Sequence, residues 1–285
     1  MNIPQNHHYV SQCQIKNFFN QAEGKIFLYD KINKAYFHRN ATRRVFSELN
    51  SNTKVINDEL DYTFLEKDLS ENFENKYPRN MDIIFQAIID NEITPELKDA
   101  IIGMANYGIA GEMRPPDAKR ETDDAILENL VRKFAPFTEK PLYDKLVQFE
   151  QNLAKVPHSN VIVYSKIVAQ IYNAMGDIGF ALQFINDDSH YLLLPDRSSI
   201  TQRYKINQYF NPDIEEIAMI GIPLASKIFL HVESLKVRNY PSCIYSLKES
   251  EVMEINYCLY QNAHRYVACE NLNYLRSFVA QMQQP

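Results

Sequence analysis

Apolar and aromatic residues cluster in short runs near both ends of the chain and at helical spacing between them. Lys25-Ile26-Phe27-Leu28-Tyr29-Asp30 and Lys34-Ala35-Tyr36-Phe37-His38 are rich in aromatic and β-branched residues, and the polar link Lys31-Ile32-Asn33 suits a hairpin. Leu60, Phe64, Leu69 and Phe73 then recur near helical spacing, and Pro78 is expected to end that helix. Asn80 is a candidate cap for a helix over Met81–Asn91. Thr94-Pro95 pairs a cap with a proline at the first helical position, and this helix should run to about Gly111. Further helices are predicted at Asp117–Ala135, Pro141–Lys155 and Val161–Met175.

The pattern then returns to strand. Gly179–Ile185 and His190–Leu194 flank Asn186-Asp187-Asp188-Ser189, which reads as a hairpin turn. Ile214–Ile222 and Lys227–Val232 are further strands joined by Pro223-Leu224-Ala225-Ser226, and helices at Ser250–Cys269 and Asn271–Gln281 close the chain. No 20–50-residue repeat and no low-complexity linker interrupts this order. The expectation is one α+β domain spanning 1–285, with a helical subregion at about 57–175. Its N-terminal and C-terminal strands share one mixed or antiparallel sheet, because neither set has enough strands to be stable alone.

Composition removes several functions. The chain holds only seven glycines, against the roughly 20 that a ~7% average would give 285 residues. They form neither a G-x-G-x-x-G nor a G-x-x-x-x-G-K-[ST] pattern, so no nucleotide cofactor is expected. H-E-x-x-H and G-x-S-x-G are absent too. Cys13, Cys243, Cys258 and Cys269 are widely spaced, as in a reduced cytoplasmic protein. The opening residues lack a signal-peptide pattern, and no run of ~18 apolar residues marks a membrane span.

The net charge of −6 argues against wholesale binding to nucleic acid or anionic membrane. Its distribution is uneven. Residues 1–55 hold eight Lys/Arg and three Asp/Glu, whereas residues 56–124 hold seven and seventeen. The basic stretch around Arg39, Arg43 and Arg44 is the candidate nucleic-acid contact, against the plainer reading of a solvated loop. The acidic block is the candidate face for a protein partner.

The segment His7-His8-Tyr9-Val10-Ser11-Gln12-Cys13-Gln14-Ile15-Lys16-Asn17-Phe18 resembles the opening of the domain-of-unknown-function family DUF4238, whose members tend to begin H-H-Y-V-P-Q-F-Y-L-K/R-N-F. Similar in order along the chain are the hairpin Ile26-Phe27-Leu28-Tyr29-Asp30-Lys31, the helix Ala105–Arg120 with Arg114-Pro115, the strand end Leu192-Leu193-Leu194-Pro195-Asp196, Ile222-Pro223-Leu224, and the closing helix with Ile255-Asn256 and Asn262-Ala263. Ser11, Cys13 and Gln14 replace the family's Pro, Phe and Tyr, and Pro195 replaces a serine. The resemblance implies a continuous fold and a shortlist of polar positions, with no assigned reaction.

That shortlist supplies the candidate site. His7 and His8 are candidate proton carriers; on a strand they point to opposite faces, so one faces a site while the other packs or caps. Asp196, at a strand end, is placed to orient a histidine or hold a divalent metal, or merely to satisfy a turn. Arg114 is a candidate clamp for phosphate or carboxylate, and Asn256 a ligand contact or a tie between helix and sheet. Glu66 with Glu71 or Glu74 is an acidic set on one helical face, more simply read as solvated. Two functions follow. The first is a hydrolase acting on a phosphodiester or nucleotide, with His7 or His8, Arg114 and Asp196 converging. The alternative is a non-catalytic interaction or regulatory module, associated with defence or toxins, using the acidic 56–124 face.

Overall fold

The computed structural model describes residues 6–57, 59–126, 128, 139–153, 155–206 and 215–283. The chain opens with β1 (Asn6–His8) and α1 (Gln12–Lys16), followed by β2 (Ile26–Asp30), β3 (Ala35–Arg39), β4 (Ser47–Leu49), β5 (Lys54–Ile56) and β6 (Glu59–Asp61). A helical block follows: α2 (Phe64–Asn72), α3 (Tyr77–Asp90), α4 (Pro95–Met113), α5 (Pro116–Ile126), α6 (Lys140–Leu153) and α7 (Tyr164–Met175). Next come β7 (Ile178–Phe184), β8 (Leu194–Pro195), β9 (Ile200–Tyr204), β10 (Glu216–Ala225), β11 (Ile228–Ser234) and β12 (Cys243–Ser246), then α8 (Glu249–Asn262), β13 (Tyr266–Cys269) and α9 (Leu272–Met282). The fold is α+β, with a central helical block and C-terminal helices, as the pattern predicts.

The single expected sheet is instead two main sheets. Five strands lie in the order β12-β7-β11-β10-β9, with β12 parallel to β7 and the other neighbours antiparallel. Four strands form β3-β2-β13-β8, all antiparallel. The N-terminal hairpin thus shares its sheet with C-terminal strands, but with β8 and β13 rather than with β7, β10 and β11. The uniformly buried residues of β2 explain its central place: a strand covered on both faces needs apolar residues on both.

Three boundaries also differ. The turn at Asn186–Ser189 forms, with Asp187 Oδ1 accepting from the Ser189 and His190 backbone N–H groups. It does not close a hairpin, because β7 is already paired on both edges by β11 and β12. The helix predicted to reach Cys269 stops at Asn262. There Lys31 Nζ donates to the carbonyls of Tyr260 and Ala263, and Tyr266–Cys269 pairs with β2. Pro78 lies in the first turn of α3 rather than ending a helix, a position where its missing N–H costs nothing. The Thr94 cap is as expected: its hydroxyl accepts from Leu97 N. The predicted extension of α5 to Ala135 and the strand start at Ile214 fall outside the described residues.

Two hydrophobic cores back onto the five-stranded sheet. Period-two alternation sends Leu182, Ile220, Ile222, Leu230 and Val232 into a core with α2, α3, α4 and α7. The helix α4 packs hard on β10: a Cβ on Gly108 would lie 2.6 Å from Ile222 Cδ1. The second core gathers Val10, Ile15 and Phe18, the apolar run Leu192–Leu194, the four-stranded sheet, α8 and α9, with Phe229 contributed by β11.

The departures from the family opening have local roles. Ser11 caps α1 by accepting from Cys13 N. Gln14 is fully buried; its Nε2 donates to the carbonyls of Ser198 and Pro223, and its Oε1 accepts from Tyr107 Oη. One side chain therefore joins α1, α4 and β10.

Candidate functional site

The residues shortlisted from sequence are mostly buried and tied into the fold. In β1 the two histidines point oppositely, as expected. His7 is 1% exposed, and its Nδ1 accepts from Asn52 N at 2.7 Å. His8 Nδ1 donates to the Val45 carbonyl at 3.1 Å, and burial pushes its pKa below the usual histidine range. Arg114 ends α4 at 3% exposure. One Nη donates to the His8 carbonyl at 2.6 Å, and the other pairs with Glu74 at 2.8 Å. Burial alone would lower the Arg114 pKa, but Glu74 beside it holds the guanidinium firmly charged. The clamp envisaged for a ligand thus holds the protein's own β1 strand.

Asp196 follows β8 and is met by backbone rather than by a histidine ring. The N–H groups of His264, Arg265 and Tyr266 each donate to its carboxylate at 2.8 Å. Burial raises its pKa, and these three donors oppose the rise. The expected His7 or His8 partnership with Asp196 is replaced by this clamp, because the chain leaving α8 presents three successive amides there. Asn256 is fully buried. Its Oδ1 accepts from Leu193 N, and its Nδ2 donates to the Tyr191 carbonyl and Tyr274 Oη. It ties α8 and α9 to the Leu192–Leu194 run.

The acidic set divides. Glu66 accepts from Asn52 Nδ2, Glu74 holds Arg114, and Glu71 pairs outward with Lys67 at 3.8 Å. Arg43 and Arg44 are exposed on a short 3-10 turn, while Arg39 stacks 4.7 Å over Phe37.

A buried polar cluster lies beside this framework and was not read from the sequence. Lys119, 6% exposed, donates to Ser51 O, Ser51 Oγ and Asn52 Oδ1. Burial and the nearby Arg114 push its pKa down to about 7, against Glu48, Glu66 and Asp123. His158 Nε2 lies 3.0 Å from Glu48, and Asn160 donates to the carbonyls of Ser51 and Thr53. Its members come from three distant stretches, so no spacing rule could reveal them.

Glu48 connects this cluster to an open polar cleft of about 280 Å³, lined among others by Tyr9, Asp117, Arg120, Asp196, His264 and Arg265. The start of α5 forms one wall and the entry to β13 the other. His264 Nδ1 stands 3.7 Å from Asp117 Oδ2, an ion-pair separation longer than a hydrogen bond. Asp117 is 8% exposed and takes Arg197 Nε and Nη2 on the same oxygen; although burial works the other way, these charges keep its pKa low. Arg265 is engaged by Asp30 at 2.9 Å. Arg120 is exposed, and no described residue hydrogen-bonds or ion-pairs with it. Asp117 and Arg120 follow directly on the Arg114-Pro115 motif, and His264 follows Asn262-Ala263, so the motifs marked the neighbourhood rather than the residues. Among the described residues no group of three or more His, Cys, Asp or Glu side chains is arranged to hold a metal ion. Among them too, no helix is long and apolar enough to cross a membrane.

Comparison with protein families agrees with the resemblance noted above. The profile described as "Protein of unknown function (DUF4238)" matches residues 6–271, and the chain belongs to that family. No curated protein and no solved structure gives a significant match to it.

Proposed function

We propose that the protein is a hydrolase of a phosphate ester, a phosphodiester or nucleotide, acting in the cleft between α5 and β13. The observation that carries this reading is the His264–Asp117 pair, 3.7 Å apart at the wall of a cleft that also presents an uncommitted Arg120. A free guanidinium suits the bidentate capture of phosphate oxygens. The positive end of the α5 dipole lies at the same wall and favours an anion. His264 points one ring nitrogen toward Asp117, leaving Nε2 for the substrate. Water adds to phosphorus and releases a proton to bulk solvent, the ester P–O bond breaks, and His264 passes its Nε2 proton to the departing oxygen and regains one from solvent.

The roles first considered for His7, His8, Arg114 and Asp196 pass, in this proposal, to neighbours that face solvent. The test is turnover of bis-p-nitrophenyl phosphate and of cyclic and linear nucleotides, with and without Mg²⁺. His264→Ala and Arg120→Ala should each lower turnover at least about 100-fold with little change in melting temperature, since both side chains are exposed. No turnover on any of these substrates would overturn the proposal.

The interaction-module reading draws on a different observation. His7, Arg114, Asp196 and Asn256 are all at most 4% exposed and serve as anchors. The acidic edge of α3 and α4, with Asp82, Asp90, Glu92, Glu96 and Asp99 exposed, would then meet a basic protein surface. Charge reversal at Glu92 and Glu96 that abolishes partner capture, in a chain without turnover, would select this alternative.

A further inference from the structure

The five-stranded sheet has a second face. Its inner face feeds the helical core, and alternation turns Gln183, Met219, Gly221, Phe229 and His231 the other way. Here α8 does not lie flat on the sheet. It stands off far enough to leave a groove of about 330 Å³, at the lower end of the range for small-molecule sites. Gly221 keeps one wall flat: a Cβ there would sit 2.6 Å from Phe229 Cζ. Tyr245 offers ring surface, Phe229 closes the floor from within the core, and Glu251 and Glu254 on α8 supply carboxylates on the opposite side.

The lining mixes donors, the Gln202 amide and the Tyr240 and Tyr245 hydroxyls, with one acceptor that lacks a partner. Gln183 is 8% exposed; its Nε2 donates to Tyr245 Oη, while its Oε1 is buried without a hydrogen-bond partner. A buried, unpaired amide oxygen costs free energy that a ligand donor would recover. Among the described residues no lysine or arginine lines the groove. Its unpaired Gln183 Oε1 calls for a donor, and its two carboxylates repel anions. We propose that this groove binds a planar heteroaromatic ring bearing an exocyclic amino group, a nucleobase or nucleoside of the adenine kind, without its phosphate. The amino group donates to Gln183 Oε1, the ring lies along Tyr245, and ribose hydroxyls reach the carboxylates.

The test is calorimetric or saturation-transfer titration of the full chain with adenosine, inosine and adenosine monophosphate. Adenosine should bind. Inosine, which presents a carbonyl where adenosine has its amino group, should bind at least about tenfold more weakly. The monophosphate should also be weaker, because its charge meets Glu251 and Glu254. Gln183→Leu should reduce adenosine binding at least about tenfold. Glu254→Lys alters an exposed helix position, so its fold should persist, and it should reverse the preference against the monophosphate. Failure of adenosine to bind at millimolar concentration, equal binding by Gln183→Leu, or a wild-type preference for inosine or the monophosphate would each overturn the proposal. Loss of phosphoesterase activity has no bearing on this outcome, since the two sites share no lining residue among those described.

Discussion

Asp196 and Tyr266 hold each other through two hydrogen bonds. The Asp196 N–H donates to the Tyr266 carbonyl at 2.9 Å, and the Tyr266 N–H returns to Asp196 Oδ2 at 2.8 Å. The same carboxylate takes His264 N and Arg265 N, so it fixes the path by which the chain leaves α8 and enters β13. Asp196→Asn replaces one acceptor oxygen with a donor that faces backbone donors. It should destabilise the fold by about 2–3 kcal/mol, seen as a lowered melting temperature, with any loss of activity following unfolding rather than preceding it. A variant that keeps its melting temperature would show that the clamp contributes little.

Arg114 should behave as a strut. Arg114→Met strands the buried His8 carbonyl and leaves the part-exposed Glu74 carboxylate without its partner, a loss of about 1–3 kcal/mol. Arg114→Lys should recover only part, because one ammonium cannot bridge both partners as the planar fork does. Urea denaturation of the two variants gives the comparison, and equal stability of Met and Lys would refute the bridging role.

The two cores should unfold together. They share the five-stranded sheet, and Gln14 bonds across α1, α4 and β10. Far-ultraviolet circular dichroism and tyrosine fluorescence, the chain having no tryptophan, should give superimposable urea transitions. Separate midpoints would mean that the helical block and the four-stranded sheet are independent domains.

Stability should rise with pH from about 5 to 8, below the range where the buried thiols, whose pKa values are raised in the fold, act in the opposite sense. Burial lowers the pKa values of His8 and His231 in the fold, so below about pH 6.5 the unfolded chain takes up protons that the fold resists. Their contribution is present above pH 6.5 and is lost as the pH falls toward 5. Lys119, with its pKa pushed down to about 7, gives the same sign above neutrality, where the unfolded chain keeps a proton that the fold releases. Melting temperatures measured from pH 5 to 8 test this; His8→Gln should flatten the lower limb and Lys119→Met the upper. A wild-type curve falling from pH 6 to 8 would contradict it.

Nucleic-acid binding, if carried by the basic stretch, should depend on Arg43 and Arg44 more than on Arg39, whose guanidinium is stacked on Phe37. Neutralising Arg43 and Arg44 should reduce the slope of log affinity against log salt by about 2. Filter binding of single- and double-stranded DNA across a salt series measures this, and an unchanged slope would remove the stretch from consideration.

What the sequence by itself determined was local. The β2–β3 hairpin, the Thr94 cap, the long apolar α4 and the β10–β11 pair follow from propensity, capping and periodicity within a few residues of one another. The polar shortlist was legible as a set of special positions, because its residues stand inside motifs resembling one family. Only the tertiary structure decided their roles. Whether Asp196 meets a histidine ring or three amides depends on where α8 stops, and that depends on Lys31, some 230 residues earlier in the chain, taking the carbonyls of Tyr260 and Ala263. The partition of strands between two sheets was equally hidden. Short apolar runs such as Leu192–Leu194 and Tyr266–Cys269 carry no record of which edge they will pair with, and pairing is settled by which strands still have free hydrogen-bonding edges when the cores form.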